Sequence, residues 1–304
     1  LLLGVADKTA FLAARPDHYL AVLVAFAFVD DALAASKLIW IGVWWGAATS
    51  KLNRHFPHVV ATMLSNSPVT NVGRVRRRLW RSYPDDLRPS ALAAWLAHGG
   101  TVVEYLFPLV LVVSGGGAPT VGALAVMFAF HLLITSSVPM GVPIEWNLMM
   151  VYGGFVLFGA NADVRAWELG SPLLVALLVG FVALVIVGNY VPRHVSFLMS
   201  MRYYAGNWPF SVWLFRGQAV DRLDERLVKP SKNLPVQLAP MYDDETVQLL
   251  LPKVMAFRTM HLHGRCLAEL VPRAGAPQAV ACHFPEQVGG QSGDHPPTKR
   301  EGRR

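Results

Sequence analysis

The residues that could do chemistry in this sequence are few, and they lie among apolar ones. His98, Glu104 and His131 interrupt long apolar runs. Glu145, Trp146 and Asn147 follow a turn carrying Pro139, Gly141 and Pro143. Ionisable groups are costly in a bilayer and mark candidate functional sites. An imidazole pair there can bind metal, relay protons or orient a polar substrate. His98 is seven residues into its run, and His131 is seven residues from the end of the next. Both should stand roughly 10 Å above the same membrane boundary at ~1.5 Å per residue. Helices joined by a short turn are antiparallel neighbours, so the two imidazoles are placed to meet. The competing reading is structural: each imidazole bonds a backbone carbonyl or a Ser/Thr and locks the helices together.

Glu104 is nine residues short of the outer end of its run, which puts it near the bilayer centre. It is turned about 240° from His98 around a helix and points elsewhere. Lys37 is a candidate partner, although it lies nearer the outer side. A proton-handling role and a structural hydrogen bond both fit Glu104. Glu145, Trp146 and Asn147 open the fifth run beneath the histidines. With His98 and His131 they outline a cytoplasm-facing pocket, in which His98, His131 and Glu104 are the candidate catalytic residues and Glu145, Trp146 and Asn147 the candidate substrate-binding residues. The bland alternative is a helix start with Glu145 favoured by the helix dipole and Trp146 as an interface anchor.

The elements that must hold these residues are set by composition. Of 304 residues, 53% are hydrophobic and 15% charged, where soluble domains carry about a quarter charged. Apolar runs of spanning length make this an all-α, polytopic helical membrane protein with about six transmembrane helices and a small helical cytoplasmic region. The runs are Tyr19 to Val29, Ala32 to Ser50, Ala91 to Val113, Thr120 to Val138, Ile144 to Ala160 and Ser171 to Val191. The first is short, and reads either as a shortened or tilted helix or as a hairpin partner of the second. Residues 1–17 form an N-terminal loop and 18–192 the transmembrane domain. Residues 193–216 are an aromatic interfacial segment, 217–271 a cytoplasmic helical region, and 272–304 a disordered tail rich in Pro, Gly, Gln and charge. Asp243, Asp244 and Glu245 look like a helix start. Leu1 to Val5 reads like the tail of another apolar segment, which suggests a longer protein.

Charge orients the spans. Lys51, Arg54, Arg74, Arg76, Arg77, Arg78, Arg81 and Arg88 fall between the second and third runs, while the connections at 30–31 and 114–119 have no basic residue. The positive-inside rule then leaves both ends of the chain cytoplasmic, in a multi-pass protein of the cell membrane. The net charge of +7 is thus a matter of topology and lipid, not of nucleic acid. Arg74, Arg76, Arg77, Arg78 and Arg81 are most simply topology determinants, and alternatively contact anionic lipid headgroups or a protein partner. The stretch around His55 and His58 reads as an amphipathic interfacial segment. Cys266 and Cys282 read as free thiols. No metal site is assigned, no nucleotide-binding or hydrolase motif occurs, and cofactors and protein partners stay unknown.

Longer stretches carry a resemblance. KLIWIGVWWGAATSKLNRHFPHVVATMLSNSP, PDDLRPS, LAHGGTVVEYLFPLVL, VPMGVPIEWN and MRYYAGNWPFSVWLF resemble an actinobacterial transmembrane family, the domain of unknown function 3556, over roughly Asp7 to Pro272. The resemblance implies an integral membrane protein of uncharacterised activity, with further spans before this region in longer members. It carries over no catalytic residue. Two functions remain open: an enzyme or carrier for a lipid or other apolar cell-envelope molecule, or a non-enzymatic scaffold recruiting partners through its basic loop and C-terminal region.

Overall fold

The structure is a computed structural model that describes residues 19, 21–27, 29–52, 54, 56–70, 72–136, 144–190, 211–215, 222, 227–228, 239, 242–248 and 279–283. A short helix α1 (Ala21–Phe26) ends at a 3-10 turn, Val29–Asp31. It folds back onto α2 (Ala32–Ser50), so the first apolar run is the hairpin partner of the second. Asp31 does not cap its own helix. Its carboxylate accepts instead from Gly170 N (3.2 Å) and Ser171 N (2.7 Å), satisfying orphan donors at the start of α8 (Pro172–Tyr190).

The bundle is built on α5 (Ala91–Ser114) and α6 (Gly117–Thr135). Ser90 caps α5, accepting from Ala93 N at 3.2 Å. Gly115 ends α5 at φ +57, and Gly116 follows at φ +116, values that L side chains rarely adopt. The Arg165 side chain lies where a Cβ at Gly115 would stand. Thr120 Oγ1 accepts from Gly116 N at 2.9 Å and closes the turn. The chain therefore reverses within two residues, and α5 packs along α6.

Helix α7 (Ile144–Gly154) continues as a π-helical turn, Phe155–Ala160. Its glycines admit bulky neighbours: a Cβ at Gly153 would overlap the Trp40 indole, and one at Gly154 would meet Met127 Cε at 2.8 Å. Trp44, Phe107, Leu124, Met127, Met150, Phe158 and Leu174 form the core of α2, α5, α6, α7 and α8. The outward faces are also apolar, with Val102, Leu106, Leu109 and Val113 on α5 and Val121, Phe128 and Leu132 on α6 all exposed. Apolar on both faces is the pattern of helices in lipid. Among the described residues α5 and α6 are long and apolar enough to cross a membrane.

The segment between the second and third runs is an ordered platform. It holds α3 (Phe56–Asn66), α4 (Gly73–Leu79) and an antiparallel hairpin of β1 (Trp80–Ser82) and β2 (Asp86–Pro89). Ala61, Leu79, Trp80 and Ala93 share one apolar cluster with Val228, and Phe56, Val59 and Ala97 share another. The first two turns of α5 are thus packed against the platform. Asn66 fixes Val228: its Nδ2 donates to Val228 O (3.0 Å) and its Oδ1 accepts from Val228 N (2.8 Å).

The sequence reading and the structure meet here in further places. An amphipathic interfacial segment is expected around His58, but α3 buries Phe56, Pro57, His58 and Val59 on protein. Within the stretch expected as a tail, β4 (Ala279–His283) pairs antiparallel with β3 (Ser211–Phe215), which lies within 193–216, and the rest of 272–304 lies outside the described residues. Backbone pairing across sixty-odd residues leaves no local signal in either stretch. Asp243, by contrast, does start a helix, accepting from Thr246 N at 2.8 Å. The aromatic remainder of 193–216 and most of 217–271 lie outside the described residues.

Candidate functional site

Five side chains from four helices meet inside the bundle. Trp44 and Lys51 come from α2 and its C-cap, Glu104 from α5, His131 from α6 and Asn147 from α7. All are buried, between 1% and 6% exposed. Trp44 Nε1 donates to His131 Nε2 at 3.1 Å. An indole nitrogen can only donate, so Nε2 must accept and the proton of the neutral ring sits on Nδ1. His131 Nδ1 then donates to Asn147 Oδ1 at 2.7 Å. Both ring nitrogens are in use, and the tautomer is fixed by its neighbours.

Lys51 Nζ donates to Glu104 Oε2 in a buried ion pair. The ammonium also lies 5.5 Å from the Phe130 ring centroid and 5.9 Å from that of Phe56, close enough for cation–π attraction. Phe130 stands edge-on to His131 at 5.9 Å, so it bridges the ion pair and the His131 network. On the exposed seam between α2 and α5, Thr49 Oγ1 and Tyr105 OH share a hydrogen bond of 2.6 Å. Trp45 Nε1 donates to Tyr105 O at 3.1 Å in the same seam. Thr49 and Tyr105 thus stand within two residues of Lys51 and Glu104 in sequence.

Glu104, His131 and Asn147 are brought together as one polar layer, and His98 is not. Counting residues along α5 does not say which way His98 points. His98 is exposed, on the outward stripe of α5 that includes Trp95 and Val102. His131 has no ring nitrogen left for it. The pairing of His98 with His131 is therefore corrected. So is the partner of Glu104: Lys37 Nζ donates to Asn161 O (2.7 Å) and Val164 O (2.5 Å) instead, where it ties α2 to the loop before α8.

Trp146 is 5% exposed and belongs to the core rather than to an interface. Glu145 sits in the first turn of α7, and its side chain lies outside the described residues, as does the turn at 137–143. Arg74, Arg77, Arg78 and Arg81 are exposed and Arg76 half-buried, all remote from the polar layer in sequence and on the platform side. Among the described residues no three of His, Cys, Asp or Glu converge to hold a metal ion.

Sequence reasoning missed Lys51 and Trp44. Lys51 stands first after a 19-residue apolar helix, where a basic residue reads as a topology signal. Its long stem turns it back into the bundle. Trp44 reads as apolar bulk, and only the fold shows its N–H on His131. The signal available was Lys51 lying at the end of one span with Glu104 inside the next.

A family model described as transmembrane protein of unknown function (DUF3556) matches residues 1–281. The chain belongs to that family. No curated protein and no solved structure matches. Membership of this family agrees with the apolar outer faces of α5 and α6 and makes the chain an integral membrane protein of mostly helical fold, without naming an activity.

Proposed function

We propose that this protein is a six-span membrane enzyme or carrier for a lipid or other apolar molecule, with both chain ends cytoplasmic and Lys51–Glu104 beside His131–Asn147 as its working site. The carrying observation is a buried ion pair inside a bundle of apolar helices, with the Thr49–Tyr105 hydrogen bond on the exposed seam one or two residues away in sequence. Such a pair is poor structural material, because well-packed apolar residues in its place are often neutral or stabilising. Its presence in a bilayer calls for a use. A polar head entering along the Thr49–Tyr105 seam would meet a carboxylate and an ammonium sharing one proton. That pair can take a proton from an acidic head or give one to a basic head, while apolar walls hold the rest of the molecule. Asn147 and His131 would position the head. With α5 and α6, the helices at Ala32–Ser50, 144–160 and Pro172–Tyr190 support five of the spans, and the sixth is assigned to the first apolar run, of which α1 is the described part.

A second reading has its own support. Both nitrogens of His131 are satisfied within the protein, as a structural lock requires. The layer would then only hold the bundle, and the protein would be a scaffold acting through its platform.

One experiment separates the two readings. Lys51→Met with Glu104→Leu removes the pair without leaving an orphaned charge. The double variant should insert and melt like wild type. Complementation of a host lacking its own copy, read as the extractable lipid profile, should fail. A folded double variant that complements fully sinks the working-site reading and leaves the scaffold.

A further inference from the structure

We infer that Arg74, Arg76, Arg77 and Arg78 on α4 form a ledge that binds the phosphates of anionic phospholipids in the protein's own bilayer. Placement comes first. Ser90 Oγ donates to Arg78 O at 2.6 Å and Ser90 N donates to Leu79 O at 2.9 Å. The end of α4 is therefore fastened to the first residue before α5. Trp95 is five residues further along α5 and 75% exposed, about 7 Å deeper along the axis. His98, also exposed, lies one turn beyond it on the same stripe, ahead of Val102 and Leu106. Exposed Trp followed by apolar residues marks the interfacial level of a span. That sets α4 just outside the interface, at phosphate depth, whichever way the protein faces.

Chemistry agrees with that depth. Val69, Val72 and Val75 are exposed around the arginines, an apolar complement suited to the headgroup boundary. Two neighbouring basic residues have carboxylate partners. Lys51 pairs with Glu104. Arg88 chelates Asp86, donating from Nη2 at 2.6 Å and Nε at 2.9 Å, and holds that carboxyl down to about 2, with Arg81 adding to the effect. Among the described residues no carboxylate pairs with Arg74, Arg76, Arg77 or Arg78, and Arg76 Nε is buried with no hydrogen-bond partner. Guanidinium forks match phosphate oxygens. Four of them, fixed at headgroup depth, find that ligand in every anionic leaflet.

The test uses the full chain in nanodiscs holding equal amounts of phosphatidylglycerol and phosphatidylcholine, with retained lipids counted by native mass spectrometry after extraction. At 0.15 M salt, phosphatidylglycerol should be enriched about tenfold or more, in line with the attraction of a basic residue at an anionic surface. At 1 M salt the enrichment should collapse, because screening shortens to about 3 Å. Arg76→Gln with Arg77→Gln and Arg78→Gln should lower it several-fold at an unchanged melting temperature. Equal retention of the two lipids, a salt-independent preference, or an undiminished preference in a folded triple variant each overturns the proposal. If the triple variant does not fold, the wild-type salt series decides. A soluble protein held by these arginines with no lipid preference also overturns it.

Discussion

His131 shows how one residue's role follows from counting donors and acceptors. Trp44 gives it a proton and Asn147 takes one, so removing the ring leaves an indole N–H and an amide oxygen facing each other across a void. His131→Ala should therefore cost about 3 kcal/mol, combining a cavity with unsatisfied polar groups. Thermal unfolding in nanodiscs measures it, and a loss near zero would mean that the network is not formed. His58 offers a pH test outside the spans. Burial beside Trp80 pushes its imidazole down to about 4. An unfolded chain then binds more protons than the folded one between that value and the ordinary ~6.5. Stability is thus full above about pH 6.5 and declines as pH falls toward 4, by up to about 3 kcal/mol. His58→Gln should flatten that decline. A melting temperature that falls equally in both proteins from pH 7 to pH 4.5 would assign the acid sensitivity elsewhere.

At the scale of elements, helix ends and close approaches decide the fold. The π-helical turn at Phe155–Ala160 follows Gly153 and Gly154, where α2 comes so near that Trp40 occupies the space of a side chain. Trp40 Nε1 also donates to Met150 O at 3.3 Å, one turn earlier on the same helix. Gly153→Val should force the indole out and cost roughly 1–3 kcal/mol from overpacking, read as a lowered melting temperature. An unchanged melt would show that α2 can move away. Such seams explain what the sequence could and could not tell. The runs at Ala32–Ser50 and Ile144–Ala160 were legible to the residue, because apolar length and flanking Asp and Pro are local signals. Lys51 was not legible as the partner of Glu104, since both residues announce only that they are charged. Rotation was hidden too: residue counting gives His98 and His131 one expected depth, yet a helix periodicity that is apolar on every face does not say which side turns inward. The platform was hidden because its burial is against α5 and Val228, distant in sequence and mixed in composition.

At the scale of the whole molecule, the arrangement of charge and the polar layer make one claim together. The platform carrying Arg74 to Arg88 and the turn at Gly115–Gly116 stand at opposite ends of α5. Twenty-four residues of helix extend about 36 Å, enough to cross a hydrocarbon core of ~30 Å with about one turn to spare on the platform side. The proposed orientation then puts Ser82 inside and Ala118 outside, and both are exposed in the structure. In a background with Cys266→Ser and Cys282→Ser, Ser82→Cys should resist a membrane-impermeant maleimide in intact cells and react after permeabilisation, while Ala118→Cys should react at once. Labelling of both, or of neither, in intact cells would break the assignment of α5 as a span. Labelling of Ser82→Cys alone would keep the span but invert the protein. The Lys51–Glu104 pair would then open toward the outer leaflet, and the search for its substrate would move to the other side of the membrane.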